Sequence, residues 1–93
     1  MFEKPRIYPD HPGTALVTGA STRIGAAIAR ALAGAGHAVV VHYRSDETRA
    51  QSLAAQITAR GGRAATIKAD LANRADRASL IAAAQKPFGP LTI

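Results

Sequence analysis

Neither cysteine nor tryptophan occurs in these 93 residues, and the aromatic side chains are limited to two Phe and two Tyr. The absence of cysteine excludes a disulfide framework, a thiolate metal site and a thiol nucleophile. So few rings offer no stacking platform for nucleic-acid bases. No apolar run approaches the ~18 residues of a membrane span. The opening MFEKPRIYPDHPG, residues 1–13, is polar and proline-rich, and it lacks the apolar stretch of an export signal. A cytoplasmic location without membrane contact is the expectation. The histidines, His11, His37 and His42, do not share a metal-ligand spacing, so no metal is expected.

Acidic residues are also scarce. Six Asp and Glu stand against twelve Lys and Arg, for a net charge of +6. That balance raises the question of nucleic acid, but the cations occur singly along the chain and form no run. Scattered solvent-facing charge is expected, with no nucleic-acid partner, while individual arginines stay available to a small phosphate ligand.

What is present is alternation. Residues 1–13 read as a flexible lead-in broken by Pro5, Pro9 and Pro12. Ala15 to Thr18 is a short apolar run ending at Gly19, the pattern of a buried strand. Apolar residues then recur at helical spacing from Thr22 to about Ala35, with Gly34 and Gly36 as the stop. AVVVHY, Ala38 to Tyr43, hardly alternates at all, as befits a strand covered on both faces. A second helix follows, capped by Ser45 or Asp46 and ended by Gly61 and Gly62. Ala64 to Ala69 gives a third strand, Asn73 to about Gln85 a third helix, and LTI at the end resembles the start of a fourth strand.

Strict β-α-β-α-β-α-β order with short connections implies parallel strands with helices on the sheet faces. The fold class expected is therefore α/β, a Rossmann-like doubly wound parallel sheet. Residues 14–93 would form the N-terminal part of a single dinucleotide-binding domain that continues past Ile93. Taken alone, they leave sheet edge and apolar face uncovered, so incomplete folding is expected of the isolated piece.

The chemistry is concentrated in ALVTGASTRIGAAIA, Ala15 to Ala29. A strand, a glycine turn and a helix N-terminus make an anion site, because the first helical N–H groups are unpaired and the peptide dipoles favour negative charge there. Gly19 permits the turn, and Gly25 allows the helix to lie close against the sheet. The TGASTRIG segment resembles the T-G-x-x-x-G-x-G cofactor motif of the short-chain dehydrogenase/reductase family. KADLAN resembles that family's Asp-Leu pair after the third strand, which maps onto Asp70 and Leu71 and would contact the adenine. FGPLTI resembles the lead into the family's fourth strand.

The sequence departs from the motif at Arg23, where the second glycine is usual. This variant resembles the pteridine-reductase-like members, as does HYRS, His42 to Ser45. An arginine in the first helical turn opposes the helix dipole, which invites an anionic partner; the alternative is a guanidinium that simply faces solvent. The family's acidic position after the second strand falls on Tyr43, followed by Arg44. Arg23, Arg44 and Ser45 would then hold a 2′-phosphate, selecting NADP(H) over NAD(H). Asp46 is the competing acceptor for ribose hydroxyls, with helix capping as its other reading. His42 is expected to be packed or hydrogen-bonded.

The cofactor-binding residues implied are Gly19, Ser21, Thr22, Arg23, Ile24, Gly25, Tyr43, Arg44, Ser45, Asp70 and Leu71. The resemblance further implies hydride transfer to or from a carbonyl or C=N of a small molecule, with a pterin-type compound as the narrower candidate, and a homo-oligomer, tetramer or dimer. The family's catalytic Ser, Tyr and Lys lie beyond Ile93; Tyr8 and Tyr43 do not begin a Tyr-x-x-x-Lys pattern, so the 93 residues by themselves are expected to be inactive. The other readings are a non-catalytic NADP-binding module and a basic nucleic-acid-binding protein.

Overall fold

A computed structural model describes residues 13–20 and 22–93. The expected lead-in therefore lies, apart from Gly13, outside the described residues, as does Ser21. Three strands and three helices alternate: β1 Thr14–Val17, α1 Arg23–Gly34, β2 Ala38–Tyr43, α2 Glu47–Ala59, β3 Arg63–Lys68 and α3 Arg74–Ala84. All strand pairs are parallel, in the order β1-β2-β3, with Thr14 opposite Ala38 and Ala38 opposite Arg63. This is the Rossmann-like α/β arrangement that the alternation implies.

The segment expected as a fourth strand makes isolated contacts with β1. Leu91 forms an isolated parallel bridge with Thr14, and the Leu16 N–H donates to the Ile93 carbonyl at 2.9 Å. These bonds fall on the edge of β1 that β2 does not use. The sheet thus grows from β1 to β3 in one direction and then returns to the far side of β1. Such a reversal opens a crevice at the C-terminal ends of the strands, where nucleotides bind in folds of this type.

Every residue of β2 is buried, because it is central in the sheet. Val39, Val41 and Tyr43 point to the face covered by α1 and α2, where they pack with Val17, Ala29, Leu53 and Ile57. Residues of β3, at the other edge, are half-buried or exposed. Predicted and observed boundaries differ by a residue at β1 and β3. Thr18 belongs to the turn, since ladder pairing stops at Val17, and Arg63 joins β3 by pairing with Ala38.

Both candidate caps of α2 are now distinguished. Asp46 accepts the Arg49 N–H at 3.1 Å, which makes it the N-cap. At the end of α1 the left-handed residue is Gly36, with φ +101°, while Gly34 is the last helical residue. No helix among the described residues is long and apolar enough to cross a membrane.

Candidate cofactor-binding site

The turn between β1 and α1 is closed by its own hydrogen bonds. Gly19, at φ +61°, turns the chain. Its carbonyl accepts from both the Thr22 N–H, at 3.1 Å, and the Thr22 hydroxyl, at 2.8 Å. The same hydroxyl oxygen accepts the Gly25 N–H at 3.1 Å, so Thr22 is the N-cap of α1 as well as the lock of the turn. Thr22→Ala should cost about 1–2 kcal/mol in chemical denaturation of the full-length protein, while Thr22→Ser keeps most of the stability.

Gly25 lies against this turn. A Cβ there would collide with the Gly19 carbonyl oxygen and approach the Ala20 Cα to 2.9 Å. Gly25 is therefore required by the contact between helix start and turn. Arg23, at the position where the motif usually has glycine, occupies the first residue of α1 with an ordinary backbone conformation. No positive φ demands glycine there, which is why arginine is tolerated.

The N-terminal start of α1 is left electropositive. With Gly25 and Ala26 N–H groups held by Thr22, the Arg23 and Ile24 N–H groups have no partner among the described residues. The first turn of α1 carries no acid, whereas α2 has Glu47 and α3 has Asp76. The Arg23 guanidinium is exposed and has no ion pair among the described residues. Arg23 lines a groove of about 230 Å³ between α1 and α2, together with Arg30 and Arg49. The Ile24 side chain is 74% exposed, an unusual place for a large apolar group.

The loops after β2 and β3 meet beside this turn. The Ala20 N–H donates to the His42 carbonyl at 3.2 Å, and the Ala69 N–H to the Tyr43 carbonyl at 3.1 Å. Arg44 Nε lies 4.0 Å from Asp70 Oδ1, the Arg44 side chain being largely exposed and that of Asp70 about half so. Asp70 Oδ1 also accepts the Ala72 N–H at 3.0 Å, and the Asp70 N–H donates to Asp76 Oδ2 at 2.7 Å. Asp76 is in turn three residues past the Asn73 cap. That Asn-x-x-Asp spacing is a capping signal readable in the sequence, though its use in holding Asp70 is not.

The candidate residues therefore separate into groups. Gly19, Thr22, Arg23, Ile24 and Gly25 form the turn and helix start, and Arg44, Asp70 and Leu71 sit on the adjoining loops. Ser45 is in the β2–α2 connection, where its carbonyl accepts the Glu47 N–H. The Tyr43 side chain packs in the core under α1 and α2, 7% exposed. Arg44 and Ser45 do not line the groove of Arg23; its basic neighbour from α2 is Arg49, which sequence reading passed over. Asp46 gives one oxygen to the Arg49 N–H and the other to Arg49 Nε at 3.4 Å, so both its oxygens serve α2.

Comparison with known proteins points the same way as the geometry. The chain is 47% identical over 79 residues to an oxidoreductase of Methylorubrum extorquens, covering 85% of this chain and 32% of that one. The landomycin C-6 ketoreductase LanV, solved with NADP and rabelomycin, superposes with a TM-score of 0.76 at 43% identity, over 82% of this chain and 31% of LanV. FolM alternative dihydrofolate reductase 1 from Brucella canis, solved with NADP, gives a TM-score of 0.79 at 32% identity, over 95% and 34%. The chain thus spans about a third of the length of the relatives it matches. The family model for short chain dehydrogenases matches residues 13–93, and the chain belongs to that family.

Proposed function

We propose that this chain is the cofactor-binding part of an NADP(H)-dependent oxidoreductase that transfers hydride to or from a carbonyl or C=N group of a small molecule. The observation that carries the reading is the open end of α1. Two backbone N–H groups and the Arg23 guanidinium, which have no partner among the described residues, form a site for an anion there, and the diphosphate of a dinucleotide supplies one.

The choice of NADP(H) rests on charge. An acid that accepts the ribose hydroxyls is the mark of NAD binding. The acid that follows β2, Asp46, has both oxygens engaged by Arg49. Arg44 precedes it, with its guanidinium mostly in solvent, and fits the 2′-phosphate of NADP. Ser45 would add a hydroxyl to the same phosphate. Ile24 would present its exposed side chain to the cofactor, and Asp70, with Leu71 beside it, would accept from the adenine amino group through its second oxygen. LanV and FolM, both solved with NADP, support the assignment.

A pterin-type substrate is the narrower reading, favoured by Arg23 together with His42–Ser45 and by the likeness to FolM. The test is titration of the full-length protein with NADPH and NADH, followed by turnover of NADPH with dihydropterins and simple ketones. Tighter NADPH binding with turnover is expected. Stronger NADH binding would overturn the cofactor assignment, and binding without turnover of any carbonyl or C=N compound would leave a silent binding module.

A further inference from the structure

His42 is 3% exposed at the end of β2, and both nitrogens of its ring are engaged. Nδ1 lies 3.1 Å from the Gly19 N–H, and Nε2 lies 2.8 Å from the Ala69 carbonyl oxygen. These partners leave one protonation state. A carbonyl can only accept, so Nε2 carries the proton; a backbone N–H can only donate, so Nδ1 carries the lone pair. The ring is neutral, and its tautomer is set from the Ala69 side.

The consequence falls on the glycine turn. The Gly19 carbonyl is fully used by Thr22, and its N–H has the His42 ring as its partner. The adjacent Ala20 N–H is held by the His42 carbonyl. Two consecutive N–H groups of the turn thus hang on one residue of the neighbouring strand. Ala69 immediately precedes Asp70, so the strut begins at the loop that follows β3.

We propose that His42 is a positioning residue of the cofactor site: the Ala69 carbonyl holds its ring as the Nε2–H tautomer, so that Nδ1 fixes the Gly19 N–H and with it the turn that presents the Arg23 and Ile24 N–H groups to the diphosphate. This rests on the reading of the turn as a dinucleotide site. His42 touches no cofactor atom in this role; it acts through the turn.

Two amide substitutions separate the ring's contacts. Asparagine places an oxygen where Nδ1 stands, because both atoms are bonded to Cγ, and it loses the reach to Ala69. Glutamine places its amide nitrogen near the position of Nε2, and it leaves the half-buried Gly19 N–H without an acceptor. In the full-length protein, His42→Asn should bind NADPH within about threefold of the unsubstituted protein. His42→Gln should bind about tenfold more weakly or worse, because the turn then lacks the hydrogen bond that holds its Gly19 N–H in place. Each variant loses one hydrogen bond, so their melting temperatures should fall by similar amounts, and affinity alone should separate them.

Long-range proton–nitrogen spectra of the unsubstituted protein should show a neutral imidazole protonated at Nε2. Equal NADPH affinity for the two variants, or a ring protonated at Nδ1, would overturn the proposal. If the unsubstituted protein does not bind NADPH, the functional reading fails together with the role in cofactor binding. A protein that binds NADPH but whose variants do not separate fails on His42 alone.

Discussion

Arg44→Asp in the full-length protein is expected to weaken NADPH binding by about a hundredfold or more, with NADH affinity changed only a few-fold. A charge-assisted contact to phosphate contributes about 1.5–3 kcal/mol. Reversing the charge removes that contact and sets a carboxylate against the 2′-phosphate, while the ribose hydroxyls of NADH meet no such repulsion. Stability should hardly move. The pair that Arg44 makes with Asp70 is wide, at 4.0 Å, and solvent-exposed, and pairs of that kind contribute little. Fluorescence titration with each cofactor, beside a thermal melt, checks both halves. Equal losses for NADPH and NADH would mean that Arg44 serves a part of the cofactor common to both.

Gly25→Ala carries the largest expected effect on the fold. The added methyl would meet the Gly19 carbonyl oxygen and the Ala20 Cα, both backbone atoms that cannot rotate aside. The start of α1 must then lift from the turn, at a cost of about 3 kcal/mol or more. That movement carries the Arg23 and Ile24 N–H groups with it, so NADPH binding should fall sharply as well. Gly19→Ala provides the comparison. At φ +61° an alanine is strained, but apart from its chain neighbours no atom of the described residues lies within 4 Å of the added carbon, and the cost should stay near 1–2 kcal/mol. Denaturation of the two variants should place Gly25→Ala clearly below Gly19→Ala. The reverse order would mean that backbone conformation, not the close approach, governs this turn.

The close packing of Gly25 is foreseeable from the sequence, but its partner is not. The expected neighbour is the sheet; the observed one is the peptide of Gly19, six residues earlier. A glycine reveals that something comes near, and only the folded chain says what. Arg23 is a similar case. Its cationic character at a helix start is plain in TGASTRIG, and the expectation pairs it with Arg44 around one phosphate. In the structure Arg23 shares a groove with Arg49, a residue of α2 that its sequence context marks only as a helix-surface cation. Tyr43, named with the cofactor-binding residues, has its side chain in the core, because the side chains of β2 alternate and Val39, Val41 and Tyr43 share the face that α1 and α2 cover.

The strands, helices and their parallel order were determined by the sequence itself, through patterns that repeat every two or 3.6 residues and through caps such as Thr22, Asp46 and Asn73. The strand–turn–helix anion site belongs to the same local information. What only the tertiary structure decided are the contacts between segments far apart in the chain. Those are the return of Leu91–Ile93 to the free edge of β1 and the pair of Arg44 with Asp70. His42 shows the division most clearly. As a lone histidine at the end of an apolar strand it promises only a hydrogen bond. Its partners, Gly19 and Ala69, lie 23 and 27 residues away. They come within reach only because parallel strands bring their C-terminal ends together, and no spacing in the sequence encodes which ring nitrogen each will meet.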